Sequence, residues 1–509
     1  MSVSRQLGLR TLGLASAGFS LGYLVWRAGW TINWAAPWLS LPLFVAELHG
    51  FFTFALLFFM VWDVTPLRRS NASRTRTVDV FIPTFNGPYE VLAPAVAAAS
   101  DLQYPLAEVY VLDDGERPWV REMCERFEVR YLTRTEHSGA KAGNINAALP
   151  HTSGEFIAFI DADFIMRPDY VEQLIGYLED DDRVAIVQGP QEFYNVDSFQ
   201  HAAGDTEAWH EQRIFFEVIQ VGKNRWNSAF WAGSPSIVRR VAIEELGGIP
   251  TESVTEDLHT SLLLHQRGWR TAYHPGVVAL GIAPDDYDGF ILQRQRWAQG
   301  AMQVIRREWL GRGISFAQWL NYVASTGTYF DSFRKAILLL AVPMVLLTDQ
   351  LPIVAPVGTF FVLWTLHFSL GMIANIALGR GHYRYLYTEL FDLLKMFAFI
   401  QASIVLFSAR ALRFKVTPKG VSGNRSLHPF LVPFVGTVAV YLGALAVGAA
   451  RLNGWGLTTA NPAALSGAAV WGLGILAVLI FVIARGIRHI TKRAATRLAL
   501  DMPARITSD

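Results

Sequence analysis

Two carboxylates one residue apart, Asp161 and Asp163, close a short apolar run, Phe156-Ile-Ala-Phe-Ile160. On an extended strand end, side chains two positions apart point the same way, so both acids face one ligand. That arrangement suits a hard divalent cation, magnesium or manganese, shared with phosphate oxygens. Such an ion neutralises the charge on a departing diphosphate. Asp113-Asp114-Gly115 ends a second run of the same kind, Glu108-Val-Tyr-Val-Leu112. A lone Asp at a strand end is commonly a turn former, whereas two pairs on neighbouring runs favour a nucleotide and metal site.

Three further stretches offer chemistry, each beside a plainer reading. His137-Ser-Gly-Ala-Lys141-Ala-Gly-Asn144 surrounds one lysine with small residues, which lets a backbone and an ammonium approach a phosphate; a glycine turn with a solvated lysine is the alternative. In Thr255-Glu256-Asp257 either acid can cap the helix that follows, or Asp257 can serve as a general base toward an acceptor hydroxyl. Gln293-Arg294-Gln295-Arg296-Trp297 reads Gln-x-x-Arg-Trp: the indole can stack on a sugar ring while the guanidinium groups attract phosphate, or the cluster simply marks a membrane interface. No Ser-His-Asp arrangement, Walker loop or zinc-ligand spacing competes, and the single cysteine, Cys124, excludes an intramolecular disulfide framework.

The elements that position these residues follow from pattern. From Val78 to about Tyr273, short β-branched runs alternate with helical stretches such as Pro168 to Leu178, the signature of βαβ units and a mostly parallel sheet. Ligands of such sheets bind beyond the carboxyl ends of the strands, where the aspartates lie. Around this region the chain is strongly apolar: 52% of its 509 residues are hydrophobic, 17% are charged and 16 are Trp. A net charge of +1 excludes a dedicated nucleic-acid binder. Membrane spans are expected at Leu12 to Trp26, Leu39 to Trp62, Ala336 to Leu351, Val354 to Leu378, Pro429 to Ala450 and Leu465 to Ile483, six in all. Leu386 to Leu412 is expected to lie in the interface. Arg68, Arg69, Arg74 and Arg76 follow the second span, which places the α/β region in the cytoplasm of a multi-pass protein. Glu47 and His49 fall inside that span, as channel-lining groups or on a bent segment at the surface.

The expected organisation is therefore residues 1–64, two N-terminal spans; 65–288, the cytoplasmic α/β domain; 289–334, interfacial amphipathic helices with Gln-x-x-Arg-Trp; 335–485, four spans around a cytoplasmic stretch at 379–428; and 486–509, a basic tail. Within that stretch, Phe414-Lys-Val416-Thr417-Pro-Lys419-Gly420 reads as a lid that closes over phosphate or as a basic loop on anionic lipid.

In their order, these motifs resemble the processive family 2 glycosyltransferases, of the cellulose synthase kind, over about residues 34 to 485. The resemblance implies a GT-A-like α/β domain inserted in a transmembrane bundle with interfacial helices, in a bacterial inner membrane. It implies an inverting, processive synthesis of a β-glucan from UDP-glucose with Mg2+ or Mn2+. The implied donor residues are Thr84, Asp113, Asp114, Lys141, Asp161, Asp163 and Arg296, with Asp161 and Asp163 at the metal and Asp257 as base. Trp297, with Gln293, Phe230 and Glu256, is implied on the acceptor side. Phe414, Val416, Thr417 and Lys419 match the family's gating loop, and Phe230-Trp-Ala-Gly-Ser234 its acceptor-side stretch. The implied partners are the UDP-sugar, the growing polysaccharide, the lipid bilayer and an export partner. Two departures bear on substrate: Ala232 stands where the family has Cys, and Phe164 where cellulose synthase has His. The tail is too short for a PilZ domain, so cyclic di-GMP binding by this chain is not expected. A non-processive transferase acting on a lipid acceptor is the rival reading, as is a synthase using another nucleotide sugar.

Overall fold

The computed structural model describes residues 3–195, 210–284, 287–308, 311–408 and 429–491. Its α/β part is built on a seven-stranded sheet. The strands are β1 (Val78–Thr84), β2 (Ala107–Asp113), β3 (Arg130–Leu132), β4 (Phe156–Phe159), β6 (Val184–Gln188), β8 (Ser236–Arg239) and β9 (Arg270–Tyr273), in the order β3-β2-β1-β4-β8-β6-β9. Pairs β1·β2, β1·β4, β2·β3 and β6·β9 are parallel, and β8 runs antiparallel to both β4 and β6. Covered on both faces, the central strands are almost continuously apolar, as in Val80-Phe-Ile82 and Phe156-Ile-Ala-Phe159, all buried. The exception in β1 is Asp79, compensated by Arg240 at 2.5 Å and the Gly154 N–H at 2.6 Å.

Apolar residues on opposite faces of each strand build two cores. Val80, Ile82, Val111, Ala158 and Val187 pack with Leu174 and Ile175 of the Tyr170–Asp180 helix, while Phe81, Phe159, Ile186 and Val238 pack around Trp231. A second, three-stranded sheet, β5 (Phe164–Met166), β10 (Ala279–Gly281) and β7 (Glu192–Phe193) in the order β5-β10-β7, grips the stretch after β4. The mostly parallel α/β domain beside helical segments agrees with the sequence reading.

One local expectation is corrected. Strand β4 stops at Phe159, and Asp161-Ala162-Asp163 forms a turn closed by the Phe164 N–H on the Asp161 carbonyl at 2.9 Å. The two aspartates are therefore brought together by a turn, and strand alternation does not apply to them.

Among the described residues, five helical stretches are long and apolar enough to cross a membrane: Pro37–Met60, Val357–Leu378, Tyr385–Phe407, Pro429–Leu452 and Pro462–Ala484. This set differs from the six expected. Helices Val3–Trp30 and Asp331–Thr348 form, but the first is rich in Gly, Ser and Arg and the second opens with Asp331, Arg334 and Lys335, so neither qualifies. Tyr385–Phe407, expected in the interface, does qualify by length and composition. Glu47 faces the neighbouring helix and accepts from Arg27 at 2.9 Å and Tyr23 at 3.2 Å, and His49 lies 3.8 Å from Asp331. Both groups face other helices, as polar groups in such segments generally do.

Candidate active site

The carboxyl ends of β2, β1 and β4 stand side by side, with Thr84 in register with Asp113 and Phe81 with Phe159. The aspartates of the two pairs singled out in the sequence lie at this edge or close to it, and Asp113, Asp114 and Asp161 are each ion-paired, with Arg117, Arg134 and Lys141.

Asp113 is wholly buried. It accepts from the Gly115 and Arg117 N–H groups at 3.1 and 2.7 Å and from the Arg117 guanidinium at 2.8 and 3.0 Å. It thereby shapes the turn into the Pro118–Arg126 helix. Arg117 also reaches Thr84 Oγ1 at 2.9 Å, and with Asn86, Tyr89 and Trp119 it lines a cleft of about 490 Å³. Asp114 is held by both arms of Arg134, at 2.7 and 2.8 Å, and by His137 Nδ1 at 2.8 Å. Burial alone would raise its pKa, but Arg134 and His137 bring it below the ordinary carboxylate range. Arg134→Leu strands this carboxylate and is expected to cost about 3 kcal/mol of stability, measured as a lower melting temperature of the purified protein; an unchanged melting temperature would contradict the assignment.

Lys141 sits in the Ala140–Ala148 helix and donates to Asp161 Oδ1 at 2.5 Å. Although partial burial opposes its charge, Asp161, Glu256 and Asp257 hold it firmly protonated. Arg296 is half-buried; desolvation lowers its pKa against the opposing pull of Glu256, Asp161, Asp257 and Asp163. Four carboxylates and two cations thus converge from the Asp-x-Asp turn, the Lys141 helix, the Glu256–Gln266 helix and the Tyr287–Arg307 helix. Asp163 is placed here through the second sheet, where its carbonyl accepts the Ile282 N–H at 3.1 Å.

Asp257 lies in the first turn of the Glu256–Gln266 helix and accepts from the Leu258 N–H at 2.8 Å. Burial and the adjacent Glu256 raise its pKa to about 7, against the pull of Lys141. A carboxylate poised near neutral pH is what a general base requires. Gly233, at φ +80°, brings its backbone against this acid; a Cβ there would stand 3.5 Å from Asp257 Oδ2. Ser261 ties the two segments together, accepting from the Trp231 N–H at 2.7 Å and donating to the Asp257 carbonyl at 3.0 Å. Phe230 lies beneath the Lys223 ammonium, 4.6 Å from its ring centre, and packs behind Leu258 and Leu262.

The Tyr287–Arg307 helix carries Gln293, Arg296 and Trp297 and docks directly on the Asp257 turn. Val254 N–H donates to Gln303 Oε1 at 2.9 Å, and Ser253 Oγ donates to the Gly300 carbonyl at 3.3 Å. Gly300 makes this approach feasible, since a Cβ there would lie 2.8 Å from the Cβ of Thr255. Gly300→Ala is expected to separate Asp257 from Arg296 and lower turnover at least about tenfold, with little loss of helix content; wild-type turnover would show that the contact is dispensable. Trp297 is half-buried, with the Arg294 guanidinium 4.2 Å from its ring centre.

The expected gating-loop residues Phe414, Val416, Thr417 and Lys419 lie outside the described residues. Arg117 and Arg134 carry no motif in the sequence, and their signal is position, soon after β2 and β3; His137 opens the lysine stretch, and the structure adds its contact with Asp114.

Comparison with known proteins decides the family. Residues 156–378 match the family model "Glycosyl transferase family group 2". The chain is 33% identical to the cellulose synthase 1 catalytic subunit of Komagataeibacter xylinus over 82% of this chain and 58% of that one. It is 36% identical to the cellulose synthase catalytic subunit of Xanthomonas axonopodis pv. citri over 65% and 48%. Residues 156–378 belong to glycosyltransferase family 2, and most of the chain is similar to bacterial cellulose synthase catalytic subunits. The chain spans about half the length of these curated relatives. Among solved structures, the mannosyltransferase PcManGT from Pyrobaculum calidifontis aligns with a TM-score of 0.49 and 18% identity, over 78% of this chain and 99% of that one.

Proposed function

We propose that this protein is an inverting UDP-sugar hexosyltransferase that extends a β-glucan from UDP-glucose and passes the product through its own helices. The observation that carries the reading is the convergence of Lys141, Asp257 and Arg296, the residue next to Trp297, with the Asp161/Asp163 turn. The relatives' designation as UDP-forming cellulose synthases supports the donor. The catalytic domain faces the cytoplasm of a bacterial inner membrane, a reading supported by Arg68, Arg69, Arg74 and Arg76 after the Pro37–Met60 helix.

Asp257 accepts the proton of the acceptor hydroxyl as that oxygen attacks the anomeric carbon from the face opposite the diphosphate. Lys141 and Arg296 are fixed cations that stabilise the charge building on the departing phosphates. Trp297 supports the acceptor ring by stacking, and Thr84 and Asp114, with the cleft beside Arg117, hold the nucleoside end. Among the described residues, no group of three or more acids, His or Cys forms a ready metal cage. The Asp161/Asp163 turn nevertheless fits Mg2+ or Mn2+, because such ions are commonly held by one or two carboxylates completed by substrate phosphates. When bound, the ion supplies Lewis-acid stabilisation of the leaving diphosphate.

The test offers the purified full chain a panel of nucleotide sugars with magnesium and digests the product with linkage-specific glucanases. Incorporation from UDP-glucose into glucanase-sensitive material is expected. A product formed only from another nucleotide sugar, or resistant to every β-glucanase, would contradict the substrate assignment.

A further inference from the structure

Buried charge behind Trp297 is not used by the chemistry above. Arg294, whose side chain is 3% exposed, donates from Nε to Glu211 Oε1 at 2.5 Å, and Lys395 Nζ donates to Glu211 Oε2 at 2.9 Å. Glu211 is itself only 6% exposed. Burial would push its pKa up, yet Lys395 and Arg294 draw it down to about 2, so it stays ionised throughout the physiological range. The acid comes from the stretch before the Phe215–Ile219 turn, and the lysine from the Tyr385–Ser403 helix. The ion cluster therefore bolts the Gln-x-x-Arg-Trp helix to both. Beyond Lys395 the charges alternate through Asp392, at 3.1 Å, to Lys335, at 3.3 Å from Asp392, on the Asp331–Thr348 helix.

Arg294 also touches both acceptor-side residues of the motif. Its Nη1 donates to Gln293 Oε1 at 2.8 Å, and its guanidinium carbon lies over two aromatic rings, 4.2 Å from the Trp297 ring centre and 4.9 Å from that of Phe290. Nη2 finds no acceptor among the described residues and is buried, so ring contacts take the place of a hydrogen bond there. A guanidinium can stack on an indole in this way and an ammonium cannot.

We infer that Arg294, clamped by Glu211 and backed by Lys395, is the positioning residue of the acceptor site: it covers one face of Trp297, fixes the Gln293 amide, and leaves the opposite indole face for a sugar. This rests on the acceptor role proposed for Trp297. A buried ion pair of this kind contributes little net stability, and its value here is one orientation of the ring. The Lys395 link also makes that orientation depend on the seating of the Tyr385–Ser403 helix.

The experiment compares wild type with Arg294→Lys, which keeps a cation for Glu211 and loses the planar stack, and with Lys395→Met, which leaves the Glu211–Arg294 pair in place. Full-length protein in lipid nanodiscs carries 5-fluorotryptophan, with the Trp297 resonance assigned by Trp297→Phe. Arg294→Lys is expected to shift and broaden that resonance, shorten the product and raise the concentration of added glucan oligomer needed for half-maximal rate by about tenfold, with UDP affinity unchanged. Lys395→Met should shift it in the same direction by less. A wild-type resonance and product length in Arg294→Lys would overturn the inference, as would a parallel loss of UDP affinity, which marks a general folding role. Failure of wild type to make polymer would instead count against the polymerase reading, while the resonance still reports the clamp.

Discussion

Asp257→Asn is expected to lower polymer formation by about 10²- to 10⁴-fold, the usual contribution of a positioned base, while UDP still binds. The nucleophile in this account is the acceptor hydroxyl, so removing the base leaves Lys141, Arg296 and the Asp161/Asp163 turn intact. Because burial and Glu256 raise the Asp257 pKa from 3.8 to about 7, the limb of kcat/KM that reports this base should rise as pH rises through about 7. Stability moves the other way. A carboxyl whose pKa is higher in the folded protein than in the unfolded chain favours folding most below about pH 4, and the benefit is lost as pH rises toward 7. Asp257→Asn should therefore melt higher than wild type at pH 8, and this advantage should shrink at pH 5. An inactive variant that melts lower at pH 8 would indicate a structural carboxylate instead.

Trp297→Ala is expected to abolish elongation, by at least about 10²-fold, and to leave UDP affinity close to that of wild type. The indole shares a helix with Arg296, one residue away, but the two have different surroundings: Arg296 faces the carboxylate cluster, and Trp297 carries Arg294 on one ring face. Incorporation of labelled sugar and UDP titration, measured on the same preparation, separate these roles. Loss of both together would assign Trp297 to folding.

The strands that carry the donor acids were legible because burial on both faces makes them continuously apolar. Val78–Thr84, Ala107–Asp113, Phe156–Phe159 and Val184–Gln188 follow the β-branched runs closely. Strand β8 was not legible: Ser236–Arg239 is only four residues long, starts with Ser and ends with Arg, and its place between β4 and β6 depends on long-range pairing. The stretch expected in the interface, Leu386 to Leu412, overlaps the Tyr385–Phe407 helix, which carries Glu389, Asp392 and Lys395. The structure pairs these with Lys335 and Glu211, at 2.5, 3.3 and 2.9 Å, partners far away in sequence. For the same reason nothing near Glu211 signalled its role. Hydropathy reports where charge is, and only the fold reports what neutralises it.

Repeated extension of one acceptor at a single site is what separates a synthase from a transferase that adds one sugar. Its most direct measurement is the size of the product made by purified full chain in lipid from labelled UDP-glucose and magnesium, sampled while less than a tenth of the donor has been consumed. Long glucan beside unextended acceptor, with UDP released in step with incorporated glucose, is the predicted result; a lipid or oligomer carrying one added sugar, with no longer product as the reaction proceeds, would contradict it.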